Sequence, residues 1–232
     1  MEYRLRKTTP RLTSTKEIVE TRDGAVARLV SINDADPSDA DRQKDEARLN
    51  ALLADPGRQR KRKQSEQDDT SRALKVLRAL PKAFLFQYAS TDAGGSTALA
   101  RYTFKPNPAF SSNDLELIVL TAMTGTLTVD AAHERVVRLE GHLQQAVDIG
   151  WGLIARLDPG GWLVIGQADV GGGMWRIVHF QMAMSGRVFF KSRRFDTTEE
   201  ESHFAPVPAG LTYQQGIQML RTGHSAEADK GR

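Results

Sequence analysis

The chain has 232 residues, of which 40% are hydrophobic and 26% charged, with 32 Lys/Arg against 29 Asp/Glu and no cysteine. This balance suits one β-rich globular domain and is too polar for a bundle of membrane-spanning helices. No apolar run approaches the roughly 18 residues that cross a bilayer, and without cysteine there is neither a disulfide framework nor a thiolate metal site.

The basic excess is concentrated early: Met1 to Leu80 carries 18 Lys/Arg against 14 Asp/Glu. Much of it lies in Arg58-Gln59-Arg60-Lys61-Arg62-Lys63, a run that phosphate neutralisation would make a nucleic-acid patch. Glu66, Asp68 and Asp69 follow at once, and no aromatic is interleaved for base stacking. The run reads as a solvated helix face, and no nucleic-acid partner is expected. The start, Met1 to Lys7, lacks the apolar stretch of a secretory signal. The expected location is the cytoplasm, or the periplasm or cell envelope if a signal has been removed.

In chain order, Glu2–Lys7, Thr15–Thr21 and Ala25–Ile32 read as strands, the last two joined by Arg22-Asp23-Gly24, whose Asp-Gly pair suits a tight hairpin turn. Helix is expected from Asp36-Pro37, with Asp36 as N-cap and Pro37 in the first turn. Leu49, Leu52 and Leu53 make a narrow apolar stripe before the break at Asp55-Pro56-Gly57. A second helix, about 58–80, is polar until Leu74, Val76, Leu77 and Leu80, and Pro81 marks its end. The two helices read as a hairpin inserted between the third and fourth strands.

Ala83–Ser90 and Leu99–Lys105 follow as strands. Phe84, Phe86 and Tyr88 share one parity, as do Tyr102 and Phe104, so alternation sends their rings to one face. Leu115–Thr121 reads as another strand, and Gly125–Asp130 with Arg135–Gln144 as the clearest hairpin, one face toward the core and one toward water. Trp162-Leu163-Val164-Ile165 is apolar on both parities, which implies cover on both faces. Strands at Trp175–Met184 and Arg187–Phe195, and one ending near Phe204, complete the sheet. A short helix at Leu211–Leu220 and a disordered end close the chain. The expected organisation is one curved-sheet domain over 1–210, with the helical insertion at about 36–80 and a tail over 211–232.

No grouping of residues announces catalysis. The five histidines, His133, His142, His179, His203 and His224, lack helical metal-ligand spacing. Of these, His179 is the most interesting, because it falls in mid-sheet. Neither a Gly-x-Ser-x-Gly elbow nor a P-loop occurs, and Gly171-Gly172-Gly173 precedes a strand, so it is a turn and not a phosphate loop. Glu199-Glu200-Glu201 reads as a solvated charge run that protects a strand edge. Ile149 to Leu157 is apolar, interrupted by glycines, and set where a polar loop is usual. It is either a connection tucked into the core or the rim of an apolar pocket.

The three initial strands, the helical insertion, the stretches Thr124-Gly125-Thr126-Leu127-Thr128-Val129-Asp130 and Val136-Val137-Arg138-Leu139-Glu140-Gly141, and Gly173-Met174-Trp175 together resemble the bacterial outer-membrane lipoprotein-sorting (lipoprotein carrier) superfamily. That resemblance implies an α+β fold: a strongly curved antiparallel sheet, an unclosed barrel, whose concave face the helical hairpin covers. It also implies a non-catalytic envelope protein that holds or shields a lipid or lipoprotein acyl chain. No catalytic residue, metal or cofactor is expected. The wall residues expected for such a cavity are Trp151, Trp162, Phe180, Met182 and Met184. The alternative is an interaction module that presents the charged helical hairpin to an envelope protein.

Overall fold

The computed structural model describes residues 1–92, 97–149, 154–189 and 191–229. Strands β1 (Glu2–Thr8), β2 (Thr13–Val19) and β3 (Val26–Ile32) open the chain, followed by helices α1 (Asp39–Ala54) and α2 (Pro56–Ala83). Strands β4 (Phe84–Asp92) and β5 (Leu99–Pro106) lead to a short helix α3 (Leu115–Ile118) and a 3-10 turn at Val119–Ala122. Strands β6 (Met123–Asp130), β7 (Arg135–Leu143), β8 (Val147–Ile149), β9 (Ala155–Leu157), β10 (Trp162–Asp169), β11 (Trp175–Val188) and β12 (Lys191–Ala205) follow, then helix α4 (Tyr213–Asp229).

The twelve strands form a large antiparallel sheet in the order β3-β2-β1-β12-β11-β10-β7-β6-β5-β4, with β8 and β9 beside β11. β3 and β4 are its two ends, so the sheet is not closed. By internal contacts the chain divides into two compact units, Met1–Ser71 with Glu199–Arg232, and Arg72–Thr198.

In the first unit, Val19 and Val26 of the β2–β3 hairpin meet Leu49 and Leu52 of α1 and Ile217 and Leu220 of α4 in one buried cluster. The expected Asp-Gly turn is present, with Gly24 at φ +99°. The cap of α1 differs from expectation: Ser38, not Asp36, accepts the Asp41 N–H, and the helix starts at Asp39. A serine directly before three acidic or small residues offers a shorter path to the orphan amides than Asp36 does across Pro37. Helix α1 also shields the end strand. The Asp45 carboxylate accepts the Leu29 N–H at 3.0 Å, and the Arg48 guanidinium donates to the Ala27 carbonyl. Backbone groups on the outer edge of β3 are thereby satisfied by side chains, which discourages pairing with another chain.

Two other expectations are corrected in this unit. The Glu199–Glu201 run does not protect an edge, because β12 lies between β1 and β11 in the sheet order. Its charges are matched from β1, where Lys7 reaches Glu199 at 2.6 Å and Arg6 reaches Glu200 at 3.5 Å. Nor does helix stop near Leu220: α4 continues to Asp229, and residues 230–232 lie outside those described.

In the second unit the core is Ala83, Phe84, Phe104, Leu120, Ala122, Met123, Leu143 and Val147, with Val76, Ala79 and Leu80 of α2 packed on it. Pro81 does not end α2, which runs to Ala83. Asn107 explains the extension, because its backbone N–H binds the Ala83 carbonyl at 2.8 Å and its side chain binds that of Lys82 at 2.9 Å, replacing helix partners at the C-terminus. Leu115–Thr121 is helical and not a strand. A short apolar run reads alike as a buried strand or a buried helical turn. Here Asp114 decides, because its carboxylate caps the Glu116 N–H at 3.1 Å. Leu117, Ile118 and Val119 then pack on the core.

Candidate functional site

The site follows from strand register. Residues directly opposite in paired strands share a face. One row runs Tyr88, Tyr102, Leu127, Leu139, Ile165, Phe180 across β4, β5, β6, β7, β10 and β11, and the next runs Phe86, Phe104, Gly125, Gly141, Leu163, Met182. Both rows are apolar or glycine throughout, so six strands present a continuous apolar face. The aromatic alternation expected from sequence is borne out: Phe86 and Phe104 stand 6.1 Å apart, Tyr88 and Tyr102 5.9 Å, and Phe84 packs on Phe104 at 4.5 Å.

Over this face lies a cavity of about 530 Å³. Phe86, Phe104, Tyr102, Leu127, Leu139 and Ile165 form its floor, and Leu77, Leu80 and Pro81 of α2 its opposite wall. None of its lining residues is ionisable near neutral pH, and the polar groups among them are the Tyr102 hydroxyl and the Gln167 amide. Leu77 is 55% exposed and Phe86 41%, so the cavity reaches solvent on the α2–β4 side. Volume and lining fall within the ordinary range of small-molecule pockets, which are mostly apolar with a few polar groups.

A charged clasp fixes the α2 wall. Lys75 reaches the Asp114 carboxylate at 2.8 Å and that of Glu116 at 2.9 Å, tying the helix turn before Leu77 to the α3 segment. The hydrogen bond with the Glu116 side chain, and then the Lys75 ammonium, hold the Asp114 carboxyl at about 2, below its ordinary 3.8. The same two carboxylates raise Lys75. A depressed carboxyl contributes stability that is present above its unfolded value and lost as pH falls through the folded one. The clasp should therefore be intact above pH 4 and open toward pH 2. Carbon-detected NMR titration of Asp114 should give a midpoint near 2 that Lys75→Ala moves up toward 3.8; an ordinary midpoint in the parent protein would rule the clasp out.

The sequence-predicted wall residues are distributed differently. Phe180 and Met182 lie on the same face as the cavity floor, at the β11 end of the two rows, and Met184 packs against the core. None of the three lines the cavity. Trp162 alternates with Leu163 and stands opposite His142 and Ala183, on the other face of the sheet. Trp151 lies outside the described residues, as do Gly150, Gly152 and Leu153. Of the Ile149–Leu157 stretch, Ile149 ends β8 and Ala155–Leu157 form β9, which pairs with β8, and Ile149 and Leu157 pack against the core.

The remaining motifs have structural explanations. Asp130 accepts the N–H groups of Ala132 and His133, the Thr97 hydroxyl, and a bond with His133 Nδ1, so His133 belongs to a turn. The Asp169 carboxylate accepts the N–H groups of Gly171 and Gly173, closing the expected glycine turn. His179 stands opposite Gly166 in the β10–β11 pair. Among the described residues no three His, Asp or Glu side chains gather as a metal site, and no helix is long and apolar enough to cross a membrane.

The basic run is split by helical geometry. Gln59 is buried and donates to the Asp23 carbonyl at 3.0 Å, and Lys63 donates to that of Arg22 at 2.8 Å, whereas Arg60 and Lys61 face solvent. One stripe of the run thus seats on the β2–β3 turn, which corrects the fully solvated reading.

No family model matches this chain, and no curated protein or solved structure shows significant similarity to it.

Proposed function

We propose that the protein is a non-catalytic carrier that holds a hydrophobic chain, such as a lipid or lipoprotein acyl chain, in the cavity between the β4–β7 face and the last turns of α2. The observation that carries this reading is a cavity of about 530 Å³ whose lining has no charged residue. Acyl methylenes entering it gain about 0.8 kcal/mol each by leaving water, and no group there has to give up a salt bridge to admit them. The solvent-reaching mouth beside Leu77 and Phe86 suits a chain whose polar head stays outside.

On this reading the sheet is curved about the ligand and the helical insertion is its cover, with α2 as the part in contact. The protein then works in the cell envelope alongside carriers of the lipoprotein-sorting kind. The Lys75 clasp supports the covering role by holding Leu77 and Leu80 over the floor.

The test is direct. Purified protein, stripped by organic extraction, should bind a fluorescent long-chain fatty acid saturably at one site, and unlabelled acyl chains should displace it. Native mass spectrometry should show one added chain per protein. Absence of saturable binding, or equal displacement by short polar acids, would reject the carrier reading.

A further inference from the structure

We propose that the tip of the β11–β12 hairpin, in the second unit, is a docking surface for an anionic phospholipid bilayer, which it enters with apolar side chains and grips with cations. Past Ala183, β11 no longer pairs with β10 and is joined instead by β9, with Gly186 opposite Leu157, Arg187 opposite Arg156 and Val188 opposite Ala155. The end of this ribbon stands in solvent: residues 187–189 and 191–195 are all exposed. Phe189 follows the last residue of β11 with 60% of its surface open to water, and its N–H binds the carbonyl of Ile154, itself 49% exposed, at 2.7 Å. Exposed Val188 adjoins them, so the tip is apolar. Phe189 also sits at φ +51°, a left-handed conformation that a bulky residue rarely adopts and that a tight turn usually gives to Asn or Gly. Folding alone favours a small polar residue here on both counts, backbone and exposure, so the ring points to a use outside the fold.

The flanks decide what meets the ring. From Ser185 to Phe195 the chain carries Arg187, Lys191, Arg193 and Arg194 and no carboxylate. Arg194 reaches Asp196 at 3.4 Å, whereas among the described residues Arg187, Lys191 and Arg193 form no ion pair. Arg187 stands directly opposite Arg156, whose guanidinium already holds the Asp148 carboxylate at 3.1 Å. Like charges in facing positions are unfavourable, and an external anion relieves them. An apolar tip flanked by unneutralised cations matches a bilayer, whose anionic headgroups lie above an apolar interior. A folded protein partner fits less well, since three partly exposed side chains fall far short of the about 800 Å² a side that stable interfaces bury. Each cation at an anionic surface contributes about fivefold in affinity, and burial of the ring adds to it.

The test is sedimentation of the full chain with vesicles of phosphatidylcholine alone and of phosphatidylcholine with an equal part of phosphatidylglycerol. The chain should pellet with the second and stay in solution with the first, and added salt should release it. Phe189→Asn should weaken the binding about tenfold while holding or raising the melting temperature, because asparagine accepts the left-handed backbone that strains phenylalanine. A ring kept for structure would lose stability instead. Changing Arg187, Lys191 and Arg193 together to glutamine should remove the preference for phosphatidylglycerol. No binding, equal binding to both vesicles, or binding that Phe189→Asn leaves intact overturns the proposal. So does a dimer in sedimentation equilibrium that Phe189→Asn dissolves, which would make a second copy the occupant. Fatty-acid binding in solution should be unaffected by these substitutions, so this proposal and the carrier reading fail separately.

Discussion

Replacing Gly125 with valine should cost the second unit more than about 4 kcal/mol, enough to lower its melting temperature by more than about 8 °C. Gly125 stands opposite Gly141 on β7 and Phe104 on β5. A Cβ placed on it would lie 1.8 Å from the Glu140 carbonyl oxygen and 2.7 Å from Cζ of Phe104. The first obstacle is backbone, so strands β6 and β7 must part to relieve it. The second is a buried ring that packs on Phe84 and floors the cavity, so relief there would also open the core. A folded state worth about 5–15 kcal/mol tolerates little of this. Gly141→Ala provides the contrast. Its nearest neighbour would be the Met123 sulfur at 2.6 Å, the far part of a flexible side chain that can move aside. That variant should lose about 1–2 kcal/mol. Urea unfolding followed by circular dichroism measures both, and equal midpoints for the two variants would refute this account of the sheet.

The same glycines show how far the site could be read from the chain. Strand alternation is a local signal, and it correctly sent Phe84, Phe86, Tyr102 and Phe104 to one face. Which strands lie side by side is not local. The order β10-β7-β6-β5-β4 places Ile165 and Leu139 over the same floor as the β4–β5 rings, although they are distant in sequence. Without that order the methionine-rich parity of β11 reads as the natural wall, which points to Phe180, Met182 and Met184. Trp162 has the opposite parity to Leu163 and Ile165, which places it on the other face. The errors at Leu115–Thr121 and Pro81 have one cause. Each was decided by a side chain from elsewhere, Asp114 as a cap and Asn107 as a substitute helix partner, which periodicity does not record.

Ile165→Trp should abolish hydrophobic-ligand binding while leaving the fold intact. Ile165 lines the cavity but is not part of the packed core cluster, so a larger side chain there can grow into open volume and not into its neighbours. An indole in place of the butyl group occupies space that several acyl methylenes would fill. Excluding even two of them forfeits about 1.6 kcal/mol, which is already more than tenfold in affinity. Filling an apolar space that reaches solvent buries further surface, so the melting temperature should hold or rise. The paired control is Val164→Thr, one residue away and facing the other side of the sheet, opposite Glu140 and Gln181. It should leave fatty-acid affinity within about twofold, as expected for a side chain that does not touch the ligand. If Ile165→Trp binds as well as the parent, the ligand does not occupy this cavity. If both variants lose binding equally, the effect comes from the strand as a whole and not from the space above it.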